Sequence, residues 1–574
     1  MEPIRNRRWR LREPDTADVD AIARRNGVPS IVARVIANRG IIEPDAAARF
    51  FFSTLADVYD PFLLLGMEEA VARLAAAIVG RQKVCVYGDY DVDGITSVAL
   101  LVSFLRAVGG DVFYYIPRRL EEGYGLCREG IEQAAARGAA VIVTVDCGIT
   151  ATAEAELCTA CGIDLIITDH HTPGASLPKA TAIINPLQPG CGFPFKSLAG
   201  VGLAFNLALA LRSRLRTQGV FQRMQEPNLR EYLDFVALGT VADVVPLVDE
   251  NRIFVRYGLK ELTSSSRPGV MALKKVAGVE GEVTCGMVGF RLAPRLNAAG
   301  RLEDAAPGVE LLLTDDPRLA QAYAAELDAG NAERQAIEQE ILRDALEMVQ
   351  GTPALRGRKS IVLASEEWHP GVIGIVASRL VDIFHRPTIL IALKEGNGRG
   401  SGRSIPAFHL YDALHTCSEH LIKFGGHKYA AGLAIEEATL ASFVEMFDAV
   451  AHGHLTPDDL TPELAIDAVL SPGEITLDLA QILETLTPFG MGNPEPVFML
   501  RRATVVERRI LKEKHVKLKM DAGGSLFEAI GFNMAPPFHP GDVVELAFTL
   551  QTNEWRGKKD VQLRMRDVRK AGNN

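Results

Sequence analysis

The chain has 574 residues, 48% of them hydrophobic and 23% charged, with a net charge of -10. That length exceeds what one hydrophobic core organises and implies three or four domains, while the composition excludes a disordered or fibrous chain. The overall negative charge excludes a generic polyanion binder. No apolar stretch has signal-peptide form or the roughly twenty residues of a membrane span, so the expectation is a cytoplasmic protein without membrane contact.

The eight cysteines have no framework spacing, as expected of reduced thiols, and Cys158-x-x-Cys161 reads as two positions of an Ala-rich helix because no second pair lies at zinc-ligand spacing. Positive charge is local. Residues 501–574 hold fifteen Lys and Arg against nine Asp and Glu, and Arg5, Arg7, Arg8, Arg10 and Arg12 form a second cluster that a solvated surface explains equally well.

The first fifty residues carry no signal that assigns them a role. From residue 84 onward short β-branched runs, VCVYG (84–88), DVFYYI (111–116), AAVIVTV (139–145) and IDLIITD (163–169), alternate with helical patterns at 96–108, 128–136 and 151–161. Such alternation predicts an α/β domain with a parallel sheet and crossover helices. Polar groups of these sheets act at the carboxyl ends of strands. Asp89, Asp91, Asp93, Asp146 and the triplet Asp169, His170, His171 all follow predicted strands and are expected to face one crevice.

Helices are expected at 201–214 and 229–241, with Asp243 just beyond. A long helical pattern from 317 to 350 places Ile337, Ile341, Ala345 and Met348 on one face and reads as a rigid connector, with Gly330 as a bend. Residues 360–455 again alternate strands, SIVLA and TILIAL, with helices at 371–380 and 410–423, and carry two glycine-rich stretches read as loops, GSGRS (400–404) and GGHKYAAG (425–432). After the turn-rich stretch TPFGMGNPEPVF (487–498), five short strands with an alternating basic surface predict a small oligonucleotide-binding barrel. The expected segments are 1–60, 61–250, 251–350, 351–458 and 459–574.

One Asp at a strand end is ordinarily a cap or turn residue. Several acids and imidazoles at one sheet edge are different, because like charges repel unless a cation lies between them. Asp89, Asp91, Asp93, Asp146, Asp169, His170, His171 and Asp243 offer hard oxygens plus imidazole, which favours Mn²⁺ or Mg²⁺ over a cysteine-rich zinc site. Two such ions clamp a phosphate and lower the pKa of water, so phosphoester hydrolysis is the natural use. Asp164, Asp249 and His415 lack this setting.

The stretches GDYDVDG (88–94), TVDCGI (144–149), TDHH (168–171) and LGTVADVVPL (238–247) resemble the four motifs of the DHH phosphoesterases. The GDYDVDG form is similar to that of the family's RecJ branch of single-strand DNA exonucleases, as are RLAPRLNAAGRL (291–302), WHPGVIGIVASRL (368–380), GSGRS and GGHKYAAG. No motif acid or histidine is replaced. The resemblance implies a parallel-sheet DHH domain and an α/β DHH-associated domain joined by the long helix, then an OB-like barrel. The implied enzyme is a 5'-3' exodeoxyribonuclease releasing mononucleotides in repair and recombination, with two Mn²⁺ or Mg²⁺ ions. One ion would take Asp89 or Asp91, the other Asp93, His170 and Asp243, with Asp146 bridging, Asp169 orienting a ligand histidine and His171 beside the scissile phosphate.

Arg119, or its neighbour Arg118, would recognise a terminal 5'-phosphate with Ser401 and Arg403. Arg295, Asn297 and Arg301 would contact backbone phosphates, and Gly426 and His427 would line an anion site in a domain closing over the crevice. On the last domain, cations such as Lys517 and Lys519 would neutralise phosphates, while Trp555 is either a packing residue or a base-stacking one. The resemblance also implies single-stranded DNA as partner, a single-strand-binding protein and a RecQ-type helicase beside it, and a monomer. Two other readings stay open: a phosphodiesterase of short oligoribonucleotides or cyclic dinucleotides, and a non-catalytic DNA-binding scaffold.

Overall fold

The computed structural model describes residues 7–119, 121–302, 304–534, 536–555 and 558–572. The chain forms two compact units, one of Glu13–Asn331 with Asp467–Asn574, the other of Met1–Arg12 with Ala332–Ile466.

In the first unit five parallel strands lie in the order Asp111–Tyr115, Lys83–Gly88, Val141–Val145, Asp164–Thr168, Ala182–Ile184. The inner strands are continuous apolar runs because both faces are covered. Helix Val92–Ala107 buries Ile95, Val98, Leu101 and Leu105 on one face, and the opposite face packs Cys85, Tyr87, Ile142 and Cys158 beneath the outer helices. Cys158 and Cys161 sit in and at the cap of helix Thr152–Ala160, as read. Strand order reverses between Lys83–Gly88 and Val141–Val145, and a crevice opens beyond the strand ends at such a switch point.

The same unit contains the carboxyl-terminal barrel. Strands Phe498–Leu511, His515–Ala522, Ser525–Gly531, Val543–Trp555 and Lys558–Lys570 pair first to second to third, third to fifth in parallel, fifth to fourth, and the fourth closes on the first. Helices Thr16–Asn26, Ser30–Ala37 and Pro44–Phe52 put Ile22, Val32, Ile36 and Phe50 into one core with the barrel's Leu500, Leu518, Leu546 and Phe548. Arg252, on helix Asp249–Ser264, is 1% exposed there. It donates to the carbonyls of Phe50 (3.1 Å), Leu486 (2.8 Å) and Thr485 (3.3 Å), with its guanidinium 3.9 Å from the Phe50 ring centre.

Helix Pro317–Gly351 runs from the first unit into the second without a break at the expected bend, Gly330, and buries Ile341, Ala345 and Val349. The second unit holds a mixed five-stranded sheet. Here two expectations fail. GSGRS is not a loop but the end of strand Asn397–Arg403, where Gly398, Gly400 and Gly402 share a face already filled by neighbours: a Cβ on each would lie 2.7 Å from Ile391, 2.6 Å from Leu433 and 2.9 Å from Leu410. The expected helix 410–423 stops at Thr416, followed by a short turn at Ser418–His420 and strand Lys423–Gly426. Strand Arg8–Leu11 pairs with Glu463–Ile466, and Arg8 and Arg10 form ion pairs with Asp458 and Glu463; Arg5 lies outside the described residues.

Candidate metal centre and nucleic-acid interface

The site grows from the switch point. Asp91 caps helix Val92–Ala107, its Oδ1 accepting from the Asp93 and Gly94 amides at 2.9 and 3.1 Å. Asp93 follows in the helix's first turn rather than in the strand-end loop, and accepts from the Gly200 and Val201 amides at the start of helix Gly200–Thr217 at 2.6 and 2.9 Å. Gly94 is obligatory, since a Cβ there would stand 2.3 Å from the Asp89 carbonyl oxygen. Asp146 ends its strand in the left-handed region, φ +62. Asp243 comes from the end of helix Leu233–Ala242, not from a strand.

These elements converge on His170. Its Nε2 lies 3.1 Å from Asp146 Oδ1, 3.6 Å from Asp243 Oδ2 and 4.0 Å from Asp93 Oδ2. Ligand atoms lie within 4.8 Å of one another in three sets, Asp93–His170–Asp243, Asp89–Asp91–Asp146 and Asp146–His170–His171. Asp146 falls in two of these sets, and its Oδ1 lies 3.1 Å from His170 of the remaining one. Asp89 Oδ1, Asp146 Oδ1, Asp243 Oδ2 and His170 Nε2 are buried and make no hydrogen bond among the described residues. Four such atoms facing each other are what a pair of hard divalent cations satisfies.

Electrostatics agree. Burial, with neighbouring carboxylates adding, holds Asp89 and Asp146 well above the carboxylate range, Asp93 at about 7 and Asp243 at about 9. Burial, then His171, pushes His170 down to about 4. For His171 burial is outweighed by the Asp169 hydrogen bond and charge, which lift it to about 9. Asp169 Oδ1 binds His171 Nδ1 at 2.7 Å, so the histidine it orients is His171 and not His170, the one expected as a ligand, because the turn also brings the His171 amide onto the same oxygen.

Tyr124 escaped the sequence reading. Its hydroxyl donates to the Asp146 carbonyl at 3.0 Å and stands 3.2 Å from His171 Nδ1, and a lone Tyr in a loop gives no warning of this. Arg119 lies 5.0 Å from the Tyr90 ring centre beside the aspartate loop, whereas Arg118 pairs with Glu121 on the surface. Asn297 accepts from the Val92 amide. Arg301 acts on Tyr90 through its charge. Arg295 is committed internally, to Asp328 at 2.8 Å and the carbonyls of Arg291 and Val276. Asp164 and Asp249 have structural partners, Arg73 and Arg49.

Family comparisons agree with this layout. The "DHH family, N-terminal domain" matches residues 83–240, the "DHHA1 domain" 357–453 and the "RecJ OB domain" 466–567. The single-stranded-DNA-specific exonuclease RecJ of Escherichia coli K12 is 42% identical over 573 residues, covering 96% of this chain and 97% of that one. The chain belongs to the RecJ family. The Bacillus subtilis RecJ is 39% identical over 98% of this chain and 70% of its own length. A crystal structure of Thermus thermophilus RecJ in complex with Mn²⁺ superposes with a TM-score of 0.83 at 35% identity, covering 98% of this chain and 80% of that one.

In this RecJ family chain the second unit brings a hydroxyl and a guanidinium to the amino end of a helix. Strand alternation puts Ser401 and Arg403 on the face opposite the packed glycines, where Arg403 Nη1 donates to Ser401 Oγ at 3.1 Å and to the Gly402 carbonyl at 2.8 Å. The first turn of helix Ile373–Phe384 comes so near that a Cβ on Gly374 would lie 2.8 Å from Ser401 Oγ and 3.1 Å from Arg403 Nη2. A hydroxyl, a guanidinium and a helix amino end are complementary to phosphate. His427 is exposed in the next turn, and Gly426, at φ +144, admits no side chain against Ala430 and Ala431. On the barrel, Lys517 pairs with Glu528 at 2.8 Å. The side chains of Trp555 and Lys558 lie outside the described residues; the aromatic group seen at the surface is Phe532, 48% exposed, beside His515 and Arg564.

Proposed function

We propose that this chain degrades single-stranded DNA from its 5' end, releasing 5'-mononucleotides, in DNA repair and recombination. As a RecJ family member it is a metal-dependent exonuclease specific for single-stranded DNA. The observation that carries the finer reading is the set of buried, unanswered atoms on Asp89, Asp146, His170 and Asp243. Asp89, Asp91 and Asp146 would hold one divalent cation, Asp93, His170 and Asp243 the other, with Asp146 serving both. When bound, such cations neutralise phosphate charge and lower the pKa of water. His171, kept cationic by Asp169, holds a proton toward the phosphate being cut, and Tyr124 fixes its ring.

Ser401, Arg403 and the amino end of helix Ile373–Phe384 take a terminal phosphate, with Gly426 and His427 shaping the adjacent turn. Arg119 and Arg301 offer cations to the strand near the aspartate loop. The barrel binds DNA without regard to sequence, since phosphate contacts and stacking read no bases. The reading extends to a cytoplasmic monomer acting beside a single-strand-binding protein and a RecQ-type helicase, which sedimentation and pull-down experiments test.

The deciding experiment supplies Mn²⁺ and compares 5'-labelled single-stranded DNA, duplex DNA and a dinucleotide. Mononucleotide release from the single strand is expected; preferential cleavage of the dinucleotide would refute the reading. Arg403→Ala should abolish preference for 5'-phosphorylated ends while Mn²⁺ binding stays intact.

A further inference from the structure

Helix Ala293–Leu302 presses on the aspartate loop at two points. Asn297 Oδ1 accepts a hydrogen bond from the Val92 backbone N–H at 3.2 Å, a first-turn donor that no helical carbonyl can satisfy. One turn later Gly300 approaches so closely that a Cβ would stand 2.3 Å from the Tyr90 carbonyl oxygen. Residues 90 and 92 flank Asp91, and Val92 separates Asp91 from Asp93. Behind the contact, Arg295 anchors the helix to Asp328 and Val276.

We propose that Asn297 is a positioning residue for the metal ligands, fixing the backbone between Asp91 and Asp93 so that their carboxylates are held for different cations. This rests on the assignment of those two aspartates to the two centres. A role confined to DNA contact does not fit the geometry, because the side chain's acceptor is turned inward onto Val92. Its amide nitrogen Nδ2 makes no hydrogen bond among the described residues and is the group left for a nucleotide. One side chain therefore joins the two ligands: a strand resting on Nδ2 steadies the group that steadies the aspartates. Linkage then requires each ligand to raise the other's affinity by the same factor.

The test measures Mn²⁺ binding to the full chain without DNA, from the loss of the free-ion paramagnetic resonance signal, with folding followed by circular dichroism in EDTA. Asn297→Ala is expected to bind Mn²⁺ about tenfold more weakly, the scale typical of residues that orient metal ligands. Asn297→Asp, which keeps the acceptor, should bind Mn²⁺ at least as tightly as the parent yet hold DNA less well. If Asn297→Ala does not fold, Asn297→Ser, too short to reach Val92, must show the same weakening. Parent-like Mn²⁺ binding in the folded Ala or Ser variant overturns the proposal. A parent chain that binds no Mn²⁺ would instead bring down the metal assignment beneath it, a result visible before any variant is made.

Discussion

Among the places where the larger unit buries charge, two are finished in opposite ways. Around Arg252 three backbone carbonyls and an aromatic face meet the guanidinium. At the sheet edge, Asp89, Asp146, His170 and Asp243 crowd buried atoms together without a hydrogen bond among the described residues. An unmet buried polar group costs about 1–3 kcal/mol, and more if charged. The first arrangement therefore serves the fold; the second is maintained against it, for a ligand. Glu250 lies between these extremes, one oxygen accepting from the Tyr59 amide at 2.7 Å and the other buried without a partner.

The largest effect should come from the unfinished site. Asp146→Asn, which tolerates the left-handed backbone, is expected to lower the exonuclease rate at least ~10³-fold, about 4 kcal/mol of barrier. Its melting temperature in EDTA should rise, because a crowded carboxylate is gone; a lower one would contradict the comparison. Arg252→Met should do the reverse. It strands three carbonyls and is expected to cost about 3 kcal/mol in urea unfolding, with Mn²⁺ affinity unchanged.

Ligand itself supplies the next contrast. Mn²⁺ at a hundred times its dissociation constant should stabilise the parent by about 2.7 kcal/mol and leave Asp146→Asn far less affected in calorimetry. The most local effect concerns Glu250, raised from 4.5 to about 7 chiefly by burial. The folded chain keeps a proton that the unfolded chain releases, so this stability is complete below pH 4.5 and is lost as pH rises through 7. The full loss across that window is about 3 kcal/mol. Glu250→Gln should flatten unfolding free energy across that window, and a slope equal to the parent's would exclude Glu250 as its source.

What the sequence revealed and what it concealed follow one physical division. Four of the five strands of the catalytic sheet were legible because strands covered on both faces are mainly apolar runs, and the acids behind them because strand ends in such sheets meet at one edge; the short strand Ala182–Ile184 was not read. Asp243 was legible only through its motif, since it arrives from a helix. Strand Asn397–Arg403 was hidden: its glycines lack the apolar alternation of a strand, and the side chains completing its inner face belong to Ile391, Leu410 and Leu433. Asp169's choice of His171 over His170 depends on a turn of three residues, and Asn297's choice of Val92 on a contact across 205 positions. Neither leaves a mark on local composition.

The shared core of the barrel and the amino-terminal helices has a consequence for how the molecule is made. Val32, Ile36 and Phe50 leave the ribosome more than four hundred residues before Leu518 and Phe548, the groups that cover them. Throughout synthesis that oily surface waits without its lid, a long interval for aggregation that favours chaperone attendance. A protease nick that removes the barrel would recreate the same vulnerability in the finished protein, at the opposite end of the chain from the cut.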